Sequence, residues 1–169
     1  VSEGRDAAAI AEIGRAFGCD AALLDVHSDA DHHRSVFTLA GESDALVESL
    51  VAGAAEAMRL VDLERHVGVH PRVGAVDVVP VVPLDPADMD RAKSAALTVA
   101  QRLGAELMLP VFLYGEVGSG RRPAFFRRGG LTELTRRVDA GELTPDAGPS
   151  TIDPRAGVVL VGARVPLVA

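Results

Sequence analysis

The chain has 169 residues, of which 24 are acidic and 17 basic, and its net charge of −7 argues against a nucleic-acid partner because proteins that bind nucleic acid usually carry a basic face. Nearly half of the residues are hydrophobic, but only 4% are aromatic and tryptophan is absent, so the core has to be built from Ala, Val and Leu. No apolar run is long enough to span a bilayer and there is one cysteine, so we expect a cytoplasmic protein with no membrane partner and no internal disulfide.

The first half of the chain predicts a helix, two strands and a second helix. The first helix covers residues 5–17 and ends at Gly18. The strands follow at Ala21–His27 and Ser35–Leu39. Ser43 or Asp44 is expected to cap a long helix that runs to about Val61. The spacing of apolar residues predicts its buried face as Leu46, Leu50, Ala54 and Ala57. Cys19 is expected to be a buried structural thiol.

The second half alternates strands with helices. The predicted elements, in chain order, are a strand Val76–Val82, a helix Pro86–Leu107, a strand Val111–Tyr114, a helix Thr132–Val138, a Gly- and Pro-rich loop over 140–156 and a strand Val158–Val161. This alternation predicts an α/β (α+β) two-layer sandwich, in which helices pack on a mixed β-sheet. We expect residues 1–169 to form a single domain.

A histidine on a stiff turn precedes the predicted strand at Val76. Pro71 favours an extended conformation at His70, and Gly68 and Gly74 allow sharp turns on either side. An imidazole held in this way is a common general acid/base, so His70 is the candidate catalytic residue. The alternative reading is that His70 hydrogen-bonds its own loop and has no catalytic role.

Two other segments have the character of ligand-binding loops. Tyr114 and Glu116 lie at the carboxyl end of a strand, where α/β sheets place ligands, although they also fit a core tyrosine and a surface charge. The Gly- and Pro-rich loop before the last predicted strand is expected to have exposed backbone amides and hydroxyl groups that suit a polar heterocycle or an anion. The same segment also fits a structural turn. Its candidate binding residues are Gly148, Pro149, Ser150, Thr151 and Gly157.

Residues 27–34 hold three histidines, two aspartates and an arginine. These ligand types are compatible with a metal site, but neighbouring His32 and His33 would face opposite sides of a strand. We therefore expect no bound metal. Arg34 is the candidate functional member, because a guanidinium pairs with a carboxylate through two parallel hydrogen bonds.

Together, these segments resemble the N-terminal subdomain of the formiminotransferases, the glutamate formimidoyltransferase family. The resemblance covers essentially the whole chain. The matching segments are Ser2-Glu3-Gly4-Arg5-Asp6, Leu23-Leu24-Asp25-Val26, His33-Arg34, His70-Pro71-Arg72-Val73-Gly74-Ala75, Leu113-Tyr114-Gly115-Glu116, Arg128-Gly129-Gly130-Leu131 and Gly148-Pro149-Ser150 through Gly162-Ala163-Arg164. The family's usual asparagine falls at His33, and its C-terminal subdomain is absent from this chain.

The resemblance implies formimidoyl transfer between tetrahydrofolate and glutamate, in histidine and one-carbon metabolism. The family's catalytic histidine matches His70, and its folate-contacting loop matches Gly148–Gly157. Folate and glutamate carry carboxylates, for which Arg34, Arg72 and Arg164 are candidate partners. Tetrahydrofolate is then the formimino carrier, and no metal is required. A homo-oligomer, or docking of a C-terminal subdomain, is the expected protein partnership.

Two alternatives remain open at this point. The first is a folate-binding module without catalysis, or a half-enzyme that needs a partner subunit. The second is a metal-dependent hydrolase centred on residues 27–33.

Overall fold

The computed structural model describes residues 1–67 and 71–166. Helices and strands are interspersed along this part of the chain, with one pair of consecutive strands and one pair of consecutive α-helices late in the order. The elements are α1 Ala7–Phe17, β1 Ala22–Asp29, β2 Arg34–Ala40, α2 Ser43–Leu60, β3 Asp77–Val81, α3 Met89–Glu106, β4 Val111–Gly115, α4 Pro123–Arg127, α5 Gly130–Asp139 and β5 Val159–Ala163. No helix in the described ranges is long and apolar enough to cross a membrane.

The strands belong to two hydrogen-bonded sheets. β1 and β2 form an antiparallel hairpin. β3, β5 and β4 form a parallel sheet in that order, with β5 in the centre. The predicted α/β class, with parallel and antiparallel pairing, is confirmed, and the two kinds of pairing are divided between separate sheets.

Helices cover both faces of the parallel sheet. Val159 and Val161 of β5 pack into a core with α1, α2 and α3. Leu160, between them on the opposite face, packs with Phe126 of α4 and Leu134 of α5. All five residues of β5 are buried, as expected for the central strand of a parallel sheet.

Local differences from the predicted helices have simple causes. The sequence pattern did not predict α4, because a five-residue helix between Pro123 and a Gly-Gly pair shows no helical period. α2 begins at Ser43 with Glu42 as its N-cap residue, and no side chain caps it, so the predicted cap at Ser43 or Asp44 is wrong.

Two predicted burial assignments are also wrong. The buried face of α2 carries Val47 and Val51 with the predicted Ala54 and Ala57, whereas the predicted Leu46 and Leu50 are only partly buried. The helix is rotated so that the smaller side chains face α1 and α3, which brings the helices closer together. Cys19 is exposed beyond the end of α1 and is not the buried thiol that the sequence indicated.

Candidate active site

The two loops that precede β3 and β5 cross each other at the amino ends of the parallel strands. The N–H of Val158 donates to the carbonyl of Val73, and the N–H of Ala75 donates to the carbonyl of Ala156, both at 2.8 Å. Gly74 and Gly157 pair between these bonds. The structure therefore brings the segment from Pro71 to Ala75 together with the end of the Gly148–Gly157 loop.

Both glycines are required by this close approach. A Cβ on Gly157 would lie 2.3 Å from the carbonyl oxygen of Val73, and the φ of Gly157 is +70°. A Cβ on Gly74 would lie 1.7 Å from the carbonyl oxygen of Val158. The crossing fixes the backbone of both loops. Arg72, which directly precedes Val73, is therefore attached to a rigid support.

Arg72 belongs to a cluster of histidines and charged groups beside this crossing. Its Nη1 lies 3.1 Å from Nε2 of His66. The rings of His66 and His33 are in contact, with centroids 3.8 Å apart and planes tilted by 37°. Nδ1 of His33 accepts the Gly4 N–H at 3.2 Å and lies 3.5 Å from a carboxylate oxygen of Glu3. Residues from the N-terminal segment, the hairpin and the loop after α2 thus converge on one arginine.

Burial and neighbouring arginines change the titration of this cluster. Desolvation lowers the pKa of His33; the Glu3 carboxylate opposes this shift, and the positive charges of Arg5 and Arg72 add to it. Desolvation also lowers the pKa of Arg72, although the Asp77 carboxylate opposes the shift. Arg72 stays a cation at neutral pH, because a guanidinium is not deprotonated in proteins.

Asp77 connects the cluster to α4. One carboxylate oxygen accepts the Val73 N–H at 2.8 Å, and the other accepts a hydrogen bond from Nη2 of Arg127. The carboxylate of Asp77 is therefore already engaged by the protein, which makes it a support for the 71–76 loop. The φ of Asp77 is +65°, a conformation that few side chains adopt without such contacts.

Tyr114, Glu116 and Arg164 lie at the other end of the parallel sheet, near the carboxyl ends of β4 and β5. Tyr114 is 5% exposed, and its ring packs against Gly162. Burial raises the pKa of Tyr114, while the positive charges of Arg164 and Arg127 and a hydrogen bond with Arg164 oppose the shift. Glu116 is exposed. The predicted residues thus form two groups at opposite ends of short strands, with Arg127 close to both.

The loop from Gly148 to Gly157 combines packed and exposed residues. Gly148 has φ +79°, and a Cβ there would lie 2.3 Å from the carbonyl oxygen of Leu109. Its backbone also fits against Gly104 of α3, so this glycine is needed for packing whatever the loop binds. Ser150 and Thr151 are exposed, as a ligand contact requires, and Pro149 between Gly148 and Ser150 is partly buried.

The neighbouring histidines His32 and His33 lie in different surroundings. His32 pairs with Asp29 at 2.6 Å on the surface of the hairpin turn, whereas His33 turns inward with φ +51°. Within residues 1–67 and 71–166, no three histidine, cysteine or carboxylate side chains are grouped closely enough to hold a metal ion. Arg34 is the exposed first residue of β2. His70 lies outside the described residues.

The whole chain matches a known domain. It fits the formiminotransferase domain, N-terminal subdomain, over residues 1–164. It is 39% identical to formimidoyltransferase-cyclodeaminase of Gallus gallus over 99% of this chain. The identity is 40% to glutamate formimidoyltransferase of Streptococcus pyogenes serotype M1 over 87% of the chain, and 36% to that of Thermoplasma acidophilum over 99%. The chain belongs to the formiminotransferase family.

The chain covers only part of these formiminotransferase relatives. It spans 32% of the Gallus gallus protein, 50% of the streptococcal protein and 57% of the Thermoplasma protein. Membership in the family confirms the resemblance carried by the sequence motifs. The roles of the individual site residues stay predictions.

The structure also places two residues that the sequence did not single out, His66 and Arg127, near the candidate site of this formiminotransferase subdomain. His66 contacts Arg72 from six positions upstream, and its only signal in the sequence is its nearness to the His70-Pro-Arg segment. Arg127 directly precedes the matching segment Arg128-Gly129-Gly130-Leu131 but is not itself a predicted site residue, and it is placed beside Asp77 by α4, an element that the sequence pattern did not predict.

Proposed function

We propose that the protein containing this chain transfers a formimidoyl group between 5-formimidoyltetrahydrofolate and L-glutamate, with His70 as the general acid/base. The observation that carries this proposal is the convergence of two motif segments at the loop crossing, with Arg72 and two histidines beside it. The names of the relatives, formimidoyltransferase-cyclodeaminase and glutamate formimidoyltransferase, support the same reaction.

The reaction exchanges one C–N bond for another at an amidine carbon. The free amine of glutamate adds to the formimidoyl carbon, and the bond from that carbon to the folate nitrogen then breaks. The attacking nitrogen loses a proton and the leaving nitrogen gains one, so atoms and charge balance without a redox step. A neutral imidazole can perform both proton transfers near pH 7.

The charges of the described residues fit anionic substrates. Both folate and glutamate carry carboxylates, and Arg72, Arg34 and Arg164 offer guanidinium groups that pair well with them. The exposed hydroxyls of Ser150 and Thr151 suit the polar edge of a pterin ring. Binding by these groups would hold the two substrates while His70 moves the proton. We also propose that this transfer proceeds without a metal ion.

The test replaces His70 in the full-length protein. His70→Ala is expected to lower the transfer rate by about 10²–10⁴-fold, the usual contribution of a general acid/base, while folate binding changes little. His27→Ala is the control, because His27 is exposed on β1. Activity of His70→Ala within a few-fold of the wild type would remove His70 from the mechanism.

A second candidate function is a folate-binding module or half-enzyme. The observation that favours it is that this chain spans only 32–57% of the length of the relatives named above. Folate affinity and transfer are measured separately on residues 1–169 and on the full-length protein. Folate binding by residues 1–169, with transfer only in the longer protein, would identify a half-enzyme. Binding without transfer in both would identify a binding module.

A further inference from the structure

The contact between His66 and Arg72 fixes where the proton of His66 lies. Arginine has only N–H donors, so Nη1 of Arg72 donates to Nε2 of His66 across 3.1 Å. Nε2 must then be unprotonated, and the proton of the neutral ring is on Nδ1. Nδ1 is buried and has no hydrogen-bond partner among the described residues.

The ring of His66 is held from its other side by His33. The two tilted rings are in contact with their centroids 3.8 Å apart, and His33 is in turn fixed by the Gly4 N–H and the Glu3 carboxylate. Among the described residues, Glu3, Arg5 and Arg72 act on the charge of His33, and Asp77 and Arg5 act on that of Arg72. If His66 were protonated, its positive charge would face the Arg72 guanidinium directly, and Nε2 would no longer accept a hydrogen bond from Arg72.

We infer that His66 is a positioning residue of the proposed transferase, which as a neutral imidazole orients Arg72 toward the carboxylate of a substrate. The inference rests on the proposed function for the identity of that substrate. It rests on this structure for the contact itself. His66 acts only through Arg72 and is not itself catalytic.

Two substitutions distinguish the role of the Nε2 acceptor of His66 from the role of its ring, which contacts His33. His66→Gln places an amide oxygen near the position of Nε2 and retains an acceptor for Arg72. His66→Phe retains a ring against His33 and removes the acceptor. His27→Phe, made at an exposed position of β1, is the matched control for the same change.

The kinetic test measures KM for each substrate and kcat in the full-length protein at pH 8. We expect His66→Phe to raise the KM for the substrate held by Arg72 by about 10- to 100-fold, the cost of a misplaced binding group, with a smaller change in kcat. His66→Gln should keep a KM near that of the wild type, because its amide oxygen can still accept a hydrogen bond from Arg72. Unchanged KM in the folded His66→Phe protein, or a KM in His66→Gln as high as that in His66→Phe, would overturn the inference.

A second readout is independent of activity. ¹⁵N NMR of the histidine rings in the full-length protein, with the His66 signals assigned by their loss in His66→Gln, distinguishes the two neutral tautomers. The expected tautomer carries its proton on Nδ1, and a proton on Nε2 would overturn the inference even if transfer occurs. If no transfer is detected but the Nδ1–H tautomer is found and His66→Phe weakens glutamate or folate binding, the proposed function fails and the positioning role stands.

Discussion

His33 is held in an environment that favours its neutral form. Its side chain is 12% exposed, and its pKa is lowered from the ordinary 6.5 chiefly by desolvation. The unfolded chain therefore binds this proton first as the pH falls, and folding stability decreases across the interval just below pH 6.5. We expect His33→Asn to show a smaller loss of stability between pH 7 and pH 5 than the wild type, as measured by urea unfolding.

Asparagine is a suitable replacement because it tolerates the positive φ of residue 33 and its amide oxygen can accept the Gly4 N–H. His27→Asn, at an exposed position, is the control and should leave the pH dependence unchanged. Parallel pH profiles for His33→Asn and the wild type would show that His33 does not control acid stability.

The Asp77–Arg127 pair stabilises the loop that carries Arg72. Both side chains are mostly buried, and Nε of Arg127 has no hydrogen-bond partner in the described part of the chain. We expect Asp77→Asn to lower the free energy of unfolding by about 3 kcal/mol, because it leaves the buried guanidinium without its counter-charge. Adding Arg127→Met should recover part of this loss, since the unpaired charge is then removed.

A double-mutant cycle in urea measures this coupling. Glu42→Gln, which breaks the exposed pair with Arg91, is the control and should change stability by less than about 0.5 kcal/mol. Additive effects of Asp77→Asn and Arg127→Met would contradict a coupled pair.

At the residue scale, the sequence predicts side chains whose role follows from their own segment. Arg72 is recognisable because a proline and two glycines surround it in the chain. His66 and Arg127 are not, because their partners come from other elements and no local pattern records those contacts. The division of Tyr114 and Arg72 between opposite ends of the sheet likewise depends on the parallel direction of β3, β4 and β5, which the pattern of one sequence leaves open.

The crossing of the loops before β3 and β5 is the element-scale feature on which the site depends. Gly157 and Gly141 share φ +70°, but a Cβ has open space at Gly141 and collides with the Val73 carbonyl at Gly157. We expect Gly141→Ala to cost about 1 kcal/mol, the strain of the left-handed conformation alone. Gly157→Ala should cost at least about 3 kcal/mol, because the crossing backbone cannot move without losing its hydrogen bonds.

Chemical unfolding of the two variants provides the comparison, and the difference between them isolates the crossing from backbone strain. Similar losses would mean that the loops separate at little cost. In that case Arg72 would lack the rigid support that the proposed substrate contact requires.

At the element scale, periodicity located most helices and strands because their buried faces repeat along the sequence. It did not locate α4, which is too short to show a period. It also did not separate the hairpin from the parallel sheet, because pairing between distant strands leaves no mark in the local pattern.

For the whole molecule, β5 is the central strand between two cores, and β4 beside it also contributes buried residues to both. Val161 faces the core of α1, α2 and α3, whereas Leu160 faces α4, α5 and Tyr114. Unfolding either face therefore exposes the strand on which the other face is built. We expect residues 1–169 to unfold in one cooperative transition, with Leu160→Ala costing about 3 kcal/mol and Val161→Ala about 2 kcal/mol.

The chain supplies its own probe for this prediction, because it contains one tyrosine and no tryptophan. Fluorescence of Tyr114 reports on the α4–α5 face, and circular dichroism at 222 nm reports on all helices, of which α2 and α3 are the longest described. The two unfolding curves should coincide in the wild type, and each substitution should shift both curves equally, since the faces share β5. If Leu160→Ala shifts the fluorescence curve alone, the two faces unfold independently. The proposed substrate-binding groups near Tyr114 and those near Arg72 would then belong to separate cooperative units.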